Sequence, residues 1–194
     1  AFCEDLAEWG KICEEIHVWH YNVNFLDYLS PVPNLHTIEP NVRYFVGNNA
    51  RGLFMQAAGG ARGASLANLR NYVICNLMWD PTRDGETLRE EFIRLHYGQA
   101  AGPIRRYVDM LHRTAQARDI HHLCFGTVRD YGIDESAVQQ GLALFEEALQ
   151  KAESTEVRHR VEKASIAMHR AEIEPVVAWI REQLPRRGMR NEQK

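Results

Sequence analysis

IHVWHYN, Ile16 to Asn22, decides how the rest of this sequence is read. It is short, β-branched and aromatic, the composition of a strand. It runs out into VNFLDYLSPVPN, Val23 to Asn34, whose asparagines and prolines read as a loop. Upstream, Phe2, Leu6, Trp9 and Ile12 or Cys13 recur at spacings of three and four, so residues 2–15 are expected to form a helix leading into the strand.

The same alternation follows once more. Pro40 suits the first turn of a helix, and Val42, Tyr44, Phe45 and Val46 give that helix an apolar side. GNN, Gly47 to Asn49, stops it. ARGLFMQAA, Ala50 to Ala58, reads as a second strand, ending in the glycine-rich GGARGAS. Helix, strand, helix, strand and helix in succession mark a parallel α/β sheet, so 16–22 and 50–56 are expected to pair side by side and parallel.

Beyond Ser65 the periodicity is helical throughout. Stripes fall at Leu66, Leu69, Val73 and Leu77; at Leu88, Phe92 and Leu95, behind a capping box of Thr87 and Glu90; at Ile104, Tyr107, Val108 and Leu111; and at Val138, Leu142, Phe145 and Leu149, with Asp134 as N-cap. A last helix is expected from Thr155 to Leu184, kinked or split at Pro175. Two parallel strands make a poor sheet on their own, and both runs read as buried on two faces. The expected fold is therefore the C-terminal part of a larger α/β domain followed by a helical region. The alternative is a small, mostly helical fold with a two-stranded insert.

With 194 residues, 45% hydrophobic and 25% charged, the chain has the size and make-up of one globular domain or a little more. Its net charge of −3 and pI near 6.3 give no pull toward nucleic acid or an anionic membrane; Arg186, Arg187 and Arg190 allow a local basic patch, but such a basic tail is more often solvated surface. No apolar run approaches the roughly 20 residues that span a bilayer. Cys3, Cys13, Cys75 and Cys124 lie far apart without a CxxC and are expected to be buried free thiols. HHLC, His121 to Cys124, lacks a partner pair at zinc spacing, so no metal is expected. No cofactor is expected either: GGARG, Gly59 to Gly63, lacks the Lys-Ser/Thr of a phosphate loop, and no GxSxG or HExxH occurs.

In parallel α/β folds ligands sit outside the C-terminal ends of the strands. Trp19, His20, Tyr21, Asn22 and Asn24 occupy that end of the first strand, and Gln56 that of the second. A tryptophan or tyrosine face packs on the C–H face of a pyranose, and asparagine and glutamine amides match its hydroxyls as donor and acceptor. A carbohydrate is the ligand this set would take. The plainer reading makes the aromatics packing residues and the asparagines turn formers. Strand alternation places Trp19 and Tyr21 on one face and His20 on the other. His20 reads as a neutral donor to substrate or proton carrier, or as a partly exposed hydrogen-bonded histidine. Asp27 and Glu39 are the carboxylates of the region after the first strand, and neither stands at a strand end where a glycosidase acid would be placed.

W-x-Y-x-x-N-F at Trp19 to Phe25, P-x-P-N at Pro31 to Asn34, LMWDP at Leu77 to Pro81 and HYGQAAGPIRRY at His96 to Tyr107 occur together over roughly residues 4–112. In these the chain resembles large bacterial proteins that carry domain of unknown function 4838, associated with glycoside hydrolase family 163, the endo-β-N-acetylglucosaminidases of complex N-glycans. The resemblance implies the last strands and helices of a (β/α)8 barrel over 1–64, with a helical region over 65–194. It implies a catalytic acid upstream, the remaining barrel strands as intramolecular partners, a glycan substrate and an extracellular or periplasmic location; Trp19, His20, Tyr21, Asn24 and Gln56 are then expected to line the sugar site, and the alternative is a non-catalytic glycan-binding or helical interaction module.

Overall fold

The computed structural model describes residues 2–58, 61–121 and 124–183. Helix α1 (Phe2–Ile12) leads into strand β1 (Ile16–Tyr21), helix α2 (Leu35–Gly47) and strand β2 (Ala50–Gln56). Six more α-helices follow: α3 (Ala67–Trp79), α4 (Gly85–Tyr97), α5 (Ala101–Ala117), α6 (Glu135–Gln150), α7 (Thr155–Glu172) and α8 (Glu174–Gln183). One 3-10 turn, Gly98–Ala100, joins α4 to α5.

The strands pair in parallel, as the alternation implies, and the sheet has these two strands and no others among the described residues. The expected barrel segment is thus overturned: the chain is mostly helical with a two-stranded insert. The expectation failed at the faces of the strands. Val18, Leu53 and Met55 pack toward α1, α2 and the helical core, while the other face of the pair stays open to solvent. Runs of branched and aromatic residues look the same in sequence whether one face is buried or two.

The main core lies between helices. Leu88, Ile93, Ile104, Tyr107, Phe145 and Met168 are essentially inaccessible and belong to one cluster that also takes in Val32, Leu35, Ile38 and Val42. Each large apolar side chain so buried contributes about 1.5–3 kcal/mol. An ion-paired arginine ties the loop after β1 to this body: Arg170 of α7 meets Asp27 at 2.6 Å and Glu174, at the start of α8, at 2.7 Å.

Several local expectations change. Helix α2 begins at Leu35, so Pro40 sits inside it rather than in its first turn. The N-cap of α4 is Asp84, whose carboxylate accepts from Thr87 N–H at 2.6 Å; Thr87 lies within the helix. Leu95 is exposed, and Ile93 and Tyr97 take the core positions beside Leu88. All four cysteines are free, but Cys3 and Cys75 are exposed and Cys13 and Cys124 only partly covered. Asp134 does cap α6, accepting from Ala137 N–H at 3.0 Å. The last helical stretch splits at Ile173, so that Pro175 falls in the first turn of α8, where a missing N–H costs nothing. Gly59 and Gly60 of the glycine-rich loop, His122 of HHLC, Leu184 and the arginines at 186, 187 and 190 lie outside the described residues.

Candidate functional site

The register Val18↔Leu53, Trp19↔Phe54, His20↔Met55 and Tyr21↔Gln56 fixes which side chains share a face. His17, Trp19 and Tyr21 of β1 stand with Phe54 and Gln56 of β2 on the open face, and His20 points the other way. Trp19 is 63%, Phe54 56% and Tyr21 48% exposed. Trp19 and Phe54 meet edge to face with centroids 5.0 Å apart, and Trp19 and Tyr21 lie 6.4 Å apart. The indole N–H of Trp19 donates to Gln56 Oε1 at 2.6 Å, a diagonal cross-strand bond that fixes the ring although it is solvated. Gly52 belongs to the same face. A Cβ there would come within 2.9 Å of the His17 ring, so glycine gives that imidazole room to lie over the partner strand. From Tyr21 the aromatic row continues through Phe25 at 5.2 Å to Tyr28 at 5.7 Å and Phe125 at 6.0 Å.

Four of the five site residues named from sequence gather at this end of the strands. Trp19, Tyr21 and Gln56 share the open face, and His20 stands directly behind it. His20 is half-buried, packs edge-on against Phe45 at 5.3 Å, and has its Nε2 3.3 Å from the Asn41 side-chain nitrogen. Burial lowers its pKa below the ordinary 6.5, so at neutral pH the imidazole is uncharged. Asn24 stands apart. It is buried, donates to the Gly126 carbonyl at 2.6 Å and accepts from Leu26 N–H at 3.0 Å, so both ends of its amide serve the loop.

The strand ends are held by a buried polar relay whose anchor went unread in the sequence. Asn22 donates to the His20 carbonyl at 3.3 Å, and the Asn34 amide donates to the Asn22 carbonyl at 3.0 Å. Asn34 Oδ1 in turn accepts from Arg70 at 3.2 Å. Arg70 is fully buried on α3, without a carboxylate partner among the described residues. Its guanidinium also donates to the Ser65 carbonyl at 2.6 Å and the Val32 carbonyl at 3.2 Å. Burial brings its pKa down to about 10, which still leaves it charged at neutral pH. An arginine inside an apolar helical stripe gives no sequence signal of this role.

Behind β1 the chain forms a cleft of about 450 Å³. His20, Tyr21, Thr37, Asn41, Gln116 and Asp119 contribute to its wall, with His36 and His121 nearby on the same lining. Asp119 and His121 approach each other at 3.5 Å and are both exposed. Among the described residues Asp119 is the one carboxylate of the lining, and no lysine or arginine belongs to it. Among the described residues no group of three His, Cys, Asp or Glu is placed to hold a metal ion, and no helix is long and apolar enough to cross a membrane.

The family model described as "Domain of unknown function (DUF4838)" matches residues 1–109, which takes in both strands, α1 to α4 and the first half of α5. The chain belongs to this family. No curated protein and no solved structure matches the chain.

Proposed function

We propose that this chain supplies a carbohydrate-binding surface to a glycoside hydrolase-like protein acting on N-acetylglucosamine-containing glycans, with the open face of the sheet as its platform. The observation that carries this reading is Trp19, a largely solvated indole held in place by the Gln56 amide and flanked by Tyr21 and Phe54. A ring that is exposed yet already oriented loses little freedom when a pyranose stacks on it. Tyr21 extends the stacking surface, and His20, one residue over on the opposite face, offers a neutral ring nitrogen at the strand end. The glycan class comes from the resemblance carried by the Trp19–Phe25 and His96–Tyr107 motifs.

The platform holds no acid, and the cleft behind it holds one. Glycoside hydrolysis ordinarily uses two carboxylates, so this chain binds, and the acid–base groups of any cleavage lie outside these residues. A titration with N,N′-diacetylchitobiose, followed by tryptophan fluorescence, tests the reading. A saturable change with the chitobiose, none with cellobiose, and no hydrolysis of either is the expected result. Cleavage by the purified chain, or no response at millimolar sugar, contradicts it.

A second reading, an interaction module, is favoured by one observation. Phe2, Trp9 and Ile12 of α1 are also exposed, and α1 and β1 enclose an apolar groove of about 480 Å³. If that groove is the working surface, the chain self-associates or holds a protein partner, and saturating sugar leaves the association unchanged.

A further inference from the structure

The polar cleft behind β1 adjoins the platform through a single shared residue, Tyr21, which stands on the open face and also lines the cleft. We propose that the cleft is a second subsite for one neutral, hydroxyl-rich sugar unit of the same glycan, the adjoining units lying across Tyr21 and Trp19. This rests on the platform reading given above.

The volume, about 450 Å³, lies within the range of small-molecule sites, about 300–1,000 Å³. The lining then decides the chemistry. His20, Asn41, Gln116 and Thr37 offer amide, imidazole and hydroxyl groups that can both give and take hydrogen bonds, as a polyol requires. Asn41 is set against His20 at 3.3 Å, so one hydroxyl could reach both. Burial keeps the His20 ring neutral, which leaves one nitrogen to accept and one to donate. With no lysine or arginine and one carboxylate, the cleft has nothing to pair with a phosphate, sulfate or sialic acid and would repel it. An apolar ligand is equally unsuited, because it would strand these polar groups without partners. Gln116 is exposed on the last turn of α5, and among the described residues its side chain makes no hydrogen bond, so it is open to a ligand.

The test is an NMR titration of the chain, labelled with nitrogen-15, using N,N′,N″-triacetylchitotriose. The side-chain amides of Asn41 and Gln116 are expected to shift on the same binding curve as the Trp19 indole N–H. Gln116→Ala and Asn41→Ala should each weaken the trisaccharide about tenfold, the worth of one hydrogen bond, while leaving chitobiose binding and the melting temperature unchanged. N-Acetylneuraminic acid should leave both amides unmoved. If the trisaccharide shifts Trp19 and Tyr21 but not Asn41 or Gln116, the cleft is no subsite and the platform stands. Movement of those amides by N-acetylneuraminic acid overturns the neutral ligand class, and the absence of any shift with the trisaccharide overturns platform and cleft together.

Discussion

The core between the helices and the open face of the two strands treat their large side chains in opposite ways. Tyr107, Phe145, Leu88 and Ile104 are withdrawn almost completely from water, whereas Trp19, Phe54 and Tyr21 stand about half open or more. Both sets are held by specific contacts. Tyr107 and Phe145 have centroids 4.5 Å apart inside the core, and Trp19 is fixed by Gln56 at the surface. The contrast shows that aromatic content does not by itself mean core. In the helical part the rings supply stability. On the sheet, ordered rings are left uncovered, and leaving apolar area in water forgoes about 25 cal/mol per Å².

That contrast can be broken by substitution. Tyr107→Ala is expected to cost about 3–5 kcal/mol of unfolding free energy, read by urea denaturation, because it empties a close-packed site. Loss below about 1 kcal/mol would mean that the helical core is loosely packed. Arg70→Leu should cost about 3 kcal/mol, since the Ser65 and Val32 carbonyls and the Asn34 amide would each lose their donor in a buried setting. It should also disturb the amide resonances of Asn22 and Gln56, which a change confined to α3 would not do.

A smaller effect depends on pH. His112 of α5 is buried; its Nδ1–H donates to the Val108 carbonyl at 2.6 Å, and its Nε2 accepts the first N–H of α2, from Leu35, at 3.0 Å. Burial is the main reason its pKa falls from 6.5 to about 3, with His36, Arg89 and Arg70 pushing the same way. The unfolded chain takes up this proton near pH 6.5 and the folded chain only near 3. Stability is therefore complete above about 6.5 and declines as pH falls toward 3, by about 2 kcal/mol at pH 5. His112→Gln should flatten that slope, as seen in melting temperatures from pH 7 to pH 4; an unchanged slope would assign the acid sensitivity elsewhere.

Much of this was legible in the sequence, and the parts that were not have physical reasons. The parallel pairing of 16–22 with 50–56 followed from the alternation of periods, and the split at Pro175 from its missing N–H. The opposed faces of Trp19 and His20 followed from strand pleat. The barrel did not follow, because a short apolar strand records its own composition but not how many of its faces are covered. The early start of α2 was hidden because Pro40 looked like a helix opening, while the N–H of Leu35 is satisfied by His112, a residue 77 positions away. Asn24 read as a ligand group, and in the fold its amide is held by Gly126 and Leu26; Arg70, which holds the strand ends, stood out in no sequence pattern. Long-range hydrogen bonds of this kind leave no local pattern. Gln116, on the last turn of α5, and Asp119, just after it, likewise reach the lining that His20 and Tyr21 share only through the tertiary fold.

The central claim, that the open sheet face is a binding platform and not displaced core, is tested most directly by Trp19→Ala, with chitobiose affinity and unfolding free energy measured on the same sample. An exposed ring whose main tie is one surface hydrogen bond should cost no more than about 0.5 kcal/mol on removal, while sugar affinity should fall at least about tenfold. A loss of about 3–5 kcal/mol with affinity unchanged would place Trp19 with Tyr107 and Phe145 as a core residue and contradict the account.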